Sequence, residues 1–262
     1  MPAHDLPLLV DAIRIAGRIA RSFTGKTARR WDKPGGAGPV TEADLAVDNA
    51  LSTTLRTARP DYGWLSEETE DTADRLSADT VFVVDPIDGT RSFVEGARTW
   101  AISVAVAHHG CITAAAIYLP MRDFLYTAAL GKGAWLNSSP MTVSAQNTLR
   151  QSQLLAARPI LQPSIWKGGM PAFERHYRPS LAYRLSLVAQ GRFDGMLTLR
   201  PTWEWDIAAG ALIVTEAGGT VSDRNGAPLV FNNAKPHLNG IVAAAPKVHA
   251  ETVAALKPVA QA

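Results

Sequence analysis

Val81-Phe82-Val83-Val84-Asp85-Pro86-Ile87-Asp88-Gly89-Thr90 is the stretch on which the reading of this chain turns. Its first four residues are apolar, β-branched or aromatic, the composition of a short strand buried on both faces. That strand runs into two aspartates three positions apart. Pro86 fixes its own φ and biases Asp85 toward extended backbone, and Gly89 permits a tight course. The predicted D-P-I-D-G turn is rigid and points Asp85 and Asp88 to one side. Two carboxylates held together repel unless a cation sits between them. An oxygen-only shell, with the Ile87 carbonyl added, favours Mg2+ or Mn2+ over zinc. The same residues also suit an ordinary surface turn, so the rest of the chain has to decide.

The chain has 262 residues, long enough for one large domain or two smaller ones sharing a cleft. A formal charge of +2 without long runs of one sign argues against a nucleic-acid polymer or a polybasic membrane surface as partner. The single cysteine, Cys111, excludes an intramolecular disulfide and a cysteine-rich zinc site, and its apolar neighbours predict a buried, inert thiol. The N-terminal residues lack a signal-peptide pattern, and no apolar segment reaches bilayer length, so a cytoplasmic protein is expected.

Apolar residues at spacings of three and four predict a helix from Asp5 to Arg21. Residues 24–39, rich in Gly, Pro and cations, read as an irregular basic loop able to close over an anion, or as a plain linker. Thr41 and Asp44 stand in capping-box spacing at the start of a second helix. A strand over 62–65 ends in Ser66-Glu67-Glu68, and Glu70, Asp71 and Asp74 read as solvated loop acids. Gly89 to Phe93 suits a first helical turn with free amides for a phosphate. Strands over 100–107, 111–118, 124–129 and 133–136 follow as an antiparallel meander, with His108 and His109 on a surface hairpin. The second half has a strand near 154–156, a loop over 170–179 and a helix capped by Ser180 and closed by Gly191. A strand over 195–199 leads to a helix opened by Trp205-Asp206, where the aspartate reads as a cap. Strands near 220–222, 229–231 and 240–244 and a helix over 249–256 complete the chain.

Taken together, Asp44, Glu67-Glu68, D-P-I-D-G-T at 85–90, and Trp205-Asp206 followed by Gly218-Gly219 resemble the signature of the inositol monophosphatase superfamily of Mg2+-dependent, lithium-sensitive phosphatases. The resemblance covers nearly the whole chain. It implies an α+β fold, the layered αβαβα sandwich of the inositol monophosphatase and sugar phosphatase type. Residues 1–144 would form an N-terminal half with most metal ligands, and 145–262 a C-terminal half with Asp206 and the substrate pocket. It implies hydrolysis of a small phosphate monoester by metal-activated water, with two or three Mg2+ per site and Mn2+ as a substitute. Glu67, Asp85, Asp88, Asp206 and the Ile87 carbonyl would be metal ligands. Asp44, Thr90 and Glu67 would form the catalytic set, and Asp88, Gly89 and Thr90 would meet the substrate phosphate. Lys33 falls at the family's mobile-loop lysine, and a homodimer is implied.

The match thins at the leaving group. Where inositol phosphatases carry an acid before W-D, this chain has Leu199, and Pro179-Ser180 replaces a Gly-Ser or Gly-Thr helix opening. The segments around 180–194 and 201–206 look more like bacterial bisphosphate nucleotidases. Adenosine 3′,5′-bisphosphate is therefore the first expected substrate, followed by inositol 1-phosphate and histidinol phosphate. Arg175, Arg178, Arg184 and Arg200 are candidates to meet a second phosphate. A phosphate-binding regulatory or scaffold role is the non-enzymatic alternative.

Overall fold

In the computed structural model, which describes residues 5–23, 28–33, 35 and 38–258, the apolar run at 81–84 is the middle of a longer strand. The helices are α1 (Asp5–Ser22), α2 (Glu42–Ala58), α3 (Thr90–Val94), α4 (Leu181–Ala189), α5 (Glu204–Glu216) and α6 (Pro246–Ala255). The strands of the first half are β1 (Arg30–Asp32), β2 (Pro39–Thr41), β3 (Gly63–Ser66), β4 (Thr80–Asp88), β5 (Ala101–His108), β6 (Cys111–Leu119), β7 (Phe124–Ala129), β8 (Ala134–Leu136) and β9 (Ser139–Pro140). Those that follow are β10 (Gln153–Ala156), β11 (Glu174–His176), β12 (Gly195–Thr198), β13 (Thr202–Trp203), β14 (Thr220–Ser222), β15 (His237–Leu238) and β16 (Ile241–Ala244).

A seven-stranded sheet runs in the order β3-β4-β5-β6-β7-β8-β9, antiparallel except for the β3–β4 pair. A five-stranded sheet runs β11-β10-β12-β16-β14, with β10 parallel to both of its neighbours. Strand periodicity explains how these sheets form layers. Phe82 and Val84 face α1 and α2, meeting Leu9, Ile13, Val47 and Leu51, whereas Val81 and Val83 face the opposite way. On that second face Leu185, Val188, Ile207 and Ile213 of α4 and α5 share a core with Leu155, Met196 and Ala243 of the smaller sheet. The other face of the smaller sheet, Leu154, Leu197 and Val242, packs with Val248 beside Trp166. The result is α1α2, sheet, α4α5, sheet, α6: the αβαβα sandwich. Each fully buried Val, Leu or Phe in these layers contributes about 1.5–3 kcal/mol. The middle helices pass so closely that a Cβ at Gly210 would collide with Leu185.

Several sequence expectations need correction. The D-P-I-D segment is not a free turn; it remains in β4, with a register shift between Asp85, opposite Ser103, and Asp88, opposite Ala101. The extra residue is a bulge, which accommodates the missing N–H of Pro86 without ending the strand. Part of the basic segment is regular, since Arg30–Asp32 pairs with Pro39–Thr41; positions 24–27, 34, 36 and 37 of that predicted loop lie outside the described residues. Leu229–Phe231 is no strand: Phe231 makes one backbone bond to Gly110, and Asn232 then turns the chain with φ 64°. Within the loop expected over 170–179, Glu174–His176 pairs with β10 as an edge strand. Cys111 is free and exposed, because it is the first residue of β6, just past the hairpin. Asp71 is not merely solvated but grips the buried Arg75. Among the described residues no helix is long and apolar enough to cross a membrane.

Candidate active site

The bulge in β4 brings Asp85 and Asp88 onto one side, and the start of α5 brings Asp206 to them. Each of the three offers a carboxylate oxygen within 4.8 Å of the others. Asp206 sits in the first turn of α5 without a side-chain capping bond, so the expected cap role is absent. Asp85 is 1% exposed, and neither of its carboxylate oxygens has a hydrogen-bond donor. Its pKa is raised well above the ordinary value by burial, and further by Glu67, Asp88, Asp206 and Asp44. Burial raises Asp88 to about 6, although bonds from the Ser180 hydroxyl and the Ala182 amide oppose it. Asp206 is also raised, by burial and then by Asp88 and Glu67. A buried carboxylate without donors beside two more acids is unfavourable in isolation. This all-oxygen set therefore fits a hard divalent cation such as Mg2+.

Glu67 follows β3, its amide bonded to the Val84 carbonyl at 3.2 Å. Its carboxylate is turned to Lys33, whose Nζ lies 2.8 Å from Glu67 Oε1 and 2.7 Å from Glu68 Oε1. Burial works against the Lys33 ammonium, but the two glutamates outweigh it and raise its pKa. Glu68 is raised to about 7 by burial, with Lys33 opposing.

Asp44 completes the predicted capping box. Its Oδ2 accepts from the Thr41 amide at 2.8 Å and the Thr41 hydroxyl at 2.6 Å. Its Oδ1 faces Thr90 Oγ1 at 3.3 Å, and that hydroxyl is also 3.2 Å from the Ile87 carbonyl. Burial raises Asp44 to about 6. Gly89 precedes α3 with φ 97°, a left-handed conformation that favours glycine, and the first amides of α3 follow it.

A cavity of about 520 Å3 contains this cluster, lined also by Gly89, Thr90, Arg91, Tyr177 and Arg200. It adjoins a second of about 490 Å3 that shares Asp88, Tyr177, Ser180, Arg200 and Asp206. The second is walled by Pro159, Ile160, Ile165, Leu181 and Leu199, with Arg184, Arg200 and Arg224 as its cations. Arg184 is 6% exposed, and its guanidinium stacks 4.5 Å from the Tyr177 ring centre. Of the four arginines expected to meet a second phosphate, Arg184 and Arg200 line this space. Arg175 instead bonds the Ala156 carbonyl, and Arg178 bonds the Tyr177 carbonyl and lies over Phe193. Arg224 had no signal in the sequence. His108 and His109 are exposed on their hairpin, as expected.

Residues 3–261 match the profile of the Inositol monophosphatase family, and the chain belongs to that family of phosphoric monoester hydrolases. It is similar to an inositol-1-monophosphatase of Rhizobium meliloti (strain 1021), 34% identical over 232 residues that cover 84% of this chain and 86% of the relative. It is also similar to the Nus factor SuhB of Escherichia coli (strain K12), 33% identical over 232 residues, 84% of this chain and 85% of the relative. An IMPase structure from Thermotoga maritima superposes with a TM-score of 0.81 at 26% identity, covering 97% of this chain and 96% of that one. The family is Mg2+-dependent, and the acid cluster is compatible with that.

Proposed function

We propose that this protein removes phosphate from a small monoester whose leaving group carries a second anionic group, with adenosine 3′,5′-bisphosphate as the first substrate. The observation that carries this reading is the leaving-group cavity. Among the described residues its only acids are Asp88 and Asp206, Leu199 stands in its wall, and Arg184, Arg200 and Arg224 supply positive charge beside an apolar surface. A polyol needs hydroxyl acceptors in such a place; a second phosphate on an apolar ring system needs guanidinium groups and greasy walls.

Glu67, Asp85, Asp88, Asp206 and the Ile87 carbonyl would hold two or three Mg2+, with Mn2+ able to substitute. When bound, these ions would supply Lewis-acid stabilisation of the attacking and leaving oxygens. Thr90 Oγ1 donates its proton toward Asp44 and so presents a lone pair to the attacking water. Asp44, its other oxygen held by Thr41, keeps that hydroxyl oriented and receives the released proton through it. The amides of Gly89 and Thr90 would meet the phosphate at the start of α3. Lys33 would carry a further positive charge into the site from its loop. A homodimer without nucleic acid completes the reading.

The name of the Rhizobium relative favours inositol 1-phosphate as a second reading. The name Nus factor of the E. coli relative keeps a regulatory, non-catalytic role as a third. The test is phosphate release from adenosine 3′,5′-bisphosphate, inositol 1-phosphate and histidinol phosphate at matched concentrations, with Mg2+ or with EDTA. The nucleotide is expected to lead in kcat/KM, EDTA to abolish turnover, and Arg184→Met to raise its KM about tenfold. A lead for inositol 1-phosphate would overturn the cavity argument, and background rates for all three would favour the regulatory role.

A further inference from the structure

Arg75 is 3% exposed, yet it lines neither of the two cavities at the acid cluster. Its Nε and Nη2 donate to the two oxygens of Asp71 at 2.6 and 2.8 Å. Its Nη1 donates to Asn232 Oδ1 at 2.6 Å, and Nη2 also donates to the Asn233 carbonyl at 2.9 Å. The same two asparagines hold Glu204, which is fully buried. Glu204 accepts from the Asn232 amide at 2.6 Å, the Asn233 amide at 2.9 Å and Asn233 Nδ2 at 2.7 Å. The Glu204 amide in turn bonds the Pro236 carbonyl at 3.0 Å.

This relay joins two segments that matter to the cluster. Arg75 lies on the chain that leaves Glu67 and Glu68, while Glu204 is the first residue of α5, two before Asp206. Carboxylates crowded together push their supporting elements apart, so a site built from them needs a brace behind it. Asn232, in left-handed backbone, turns the loop so that one side meets the guanidinium and the other the carboxylate.

We propose that Arg75 and Glu204, linked through Asn232 and Asn233, are positioning residues that set the cation affinity of the site by fixing the start of α5. This rests on the reading of Asp85, Asp88 and Asp206 as cation ligands. Glu204, like Arg75, lines neither cavity. Arg75→Lys keeps the charge but loses the planar fork, Glu204→Gln turns an N–H donor toward other donors, and Asn233→Ala is the milder cut that removes one bond to Glu204.

The experiment is calorimetric titration of each full-length variant with Mn2+ alone, beside melting curves in EDTA. Weakening of Kd by at least about fivefold is expected in all three, with KM at saturating Mg2+ within about twofold. Val248→Ala, a buried change within the distant helix α6, serves as a stability control and is expected to lower Tm without moving Kd. Variants that lose Tm while Kd stays within about twofold of the native value would overturn the proposal and leave the relay a plain structural contact. Absence of Mn2+ binding in the native chain would overturn the cation reading itself, and the relay with it.

Discussion

Lys33 Nζ rests 2.8 Å from Glu67 Oε1, so a lysine from the basic hairpin occupies one of the carboxylates that the proposed cation would use. The ammonium and the cation compete for the same oxygen. A part-exposed ion pair of this kind is worth roughly 0.5–1 kcal/mol, equivalent to about two- to fivefold in affinity. Lys33→Gln is therefore expected to tighten Mg2+ binding by about that factor in a calorimetric titration. A weaker Kd in the variant would mean that Lys33 assists cation binding rather than opposing it.

Asp85 gives the sharper contrast between stability and activity. Its oxygens are buried without donors and surrounded by other acids, so in EDTA the charge is a liability. Asp85→Asn removes the charge at nearly constant volume. The variant is expected to melt higher than the native chain in EDTA, by about 2–4 °C for each kcal/mol relieved. It should also lose the Mg2+-induced rise in Tm and at least about a hundredfold in kcat. A native-like Mg2+ shift in this variant would remove Asp85 from the ligand set.

The pH response follows from the same charges. Asp44 and Asp88 are raised from 3.8 to about 6, and Glu68 from 4.5 to about 7. A carboxyl whose folded pKa lies above its unfolded value contributes stability that is full below the unfolded pKa and is lost as pH rises through the folded one. In EDTA, Tm should thus carry a component that falls between pH 5 and pH 8. With Mg2+ the direction reverses, because protons compete with the cation for these oxygens, and Mg2+ half-saturation should rise as pH drops below about 7. Melting curves at pH 5 and 8, with and without Mg2+, check both signs; a pH response that is the same in the two conditions would break the argument.

Local chemistry in the sequence announced much of this. The alternation at Val81 to Val84 encodes two buried faces, and Thr41 with Asp44 encodes the capping box. The family signature then linked the separate acids into one constellation. What stayed hidden depends on contacts across the chain. Ser180 was legible as a helix cap, but its bond to Asp88, 92 positions away, was not. Asp71 looked like a solvated loop acid because its arginine is held in place by Asn232, 157 positions after that arginine. Arg224 carries no local pattern at all and reaches the cavity only through the packing of the smaller sheet. The bulge at Pro86 has no distinct local signal, because proline and glycine mark a turn and a strand irregularity alike.

The Ser180 contact supports the last prediction. Asp88 Oδ2 accepts from Ser180 Oγ at 2.7 Å and from the Ala182 amide at 2.6 Å, while the same hydroxyl accepts from the Tyr183 amide at 3.0 Å. One side chain thus caps α4 and fixes Asp88. Ser180→Ala should cost about 1 kcal/mol for the cap and a further 1.5–3 kcal/mol for the hydrogen bond to a charged group. Because that bond favours the ionised form, its loss should also move the acid limb of kcat/KM to higher pH. Ser180→Thr restores the hydroxyl but places a β-branched residue at φ 65°, so its recovery should be incomplete in Tm and fuller in the pH profile. If alanine lowers Tm yet leaves the acid limb where it was, the hydroxyl serves the helix alone and Asp88 is held by the Ala182 amide.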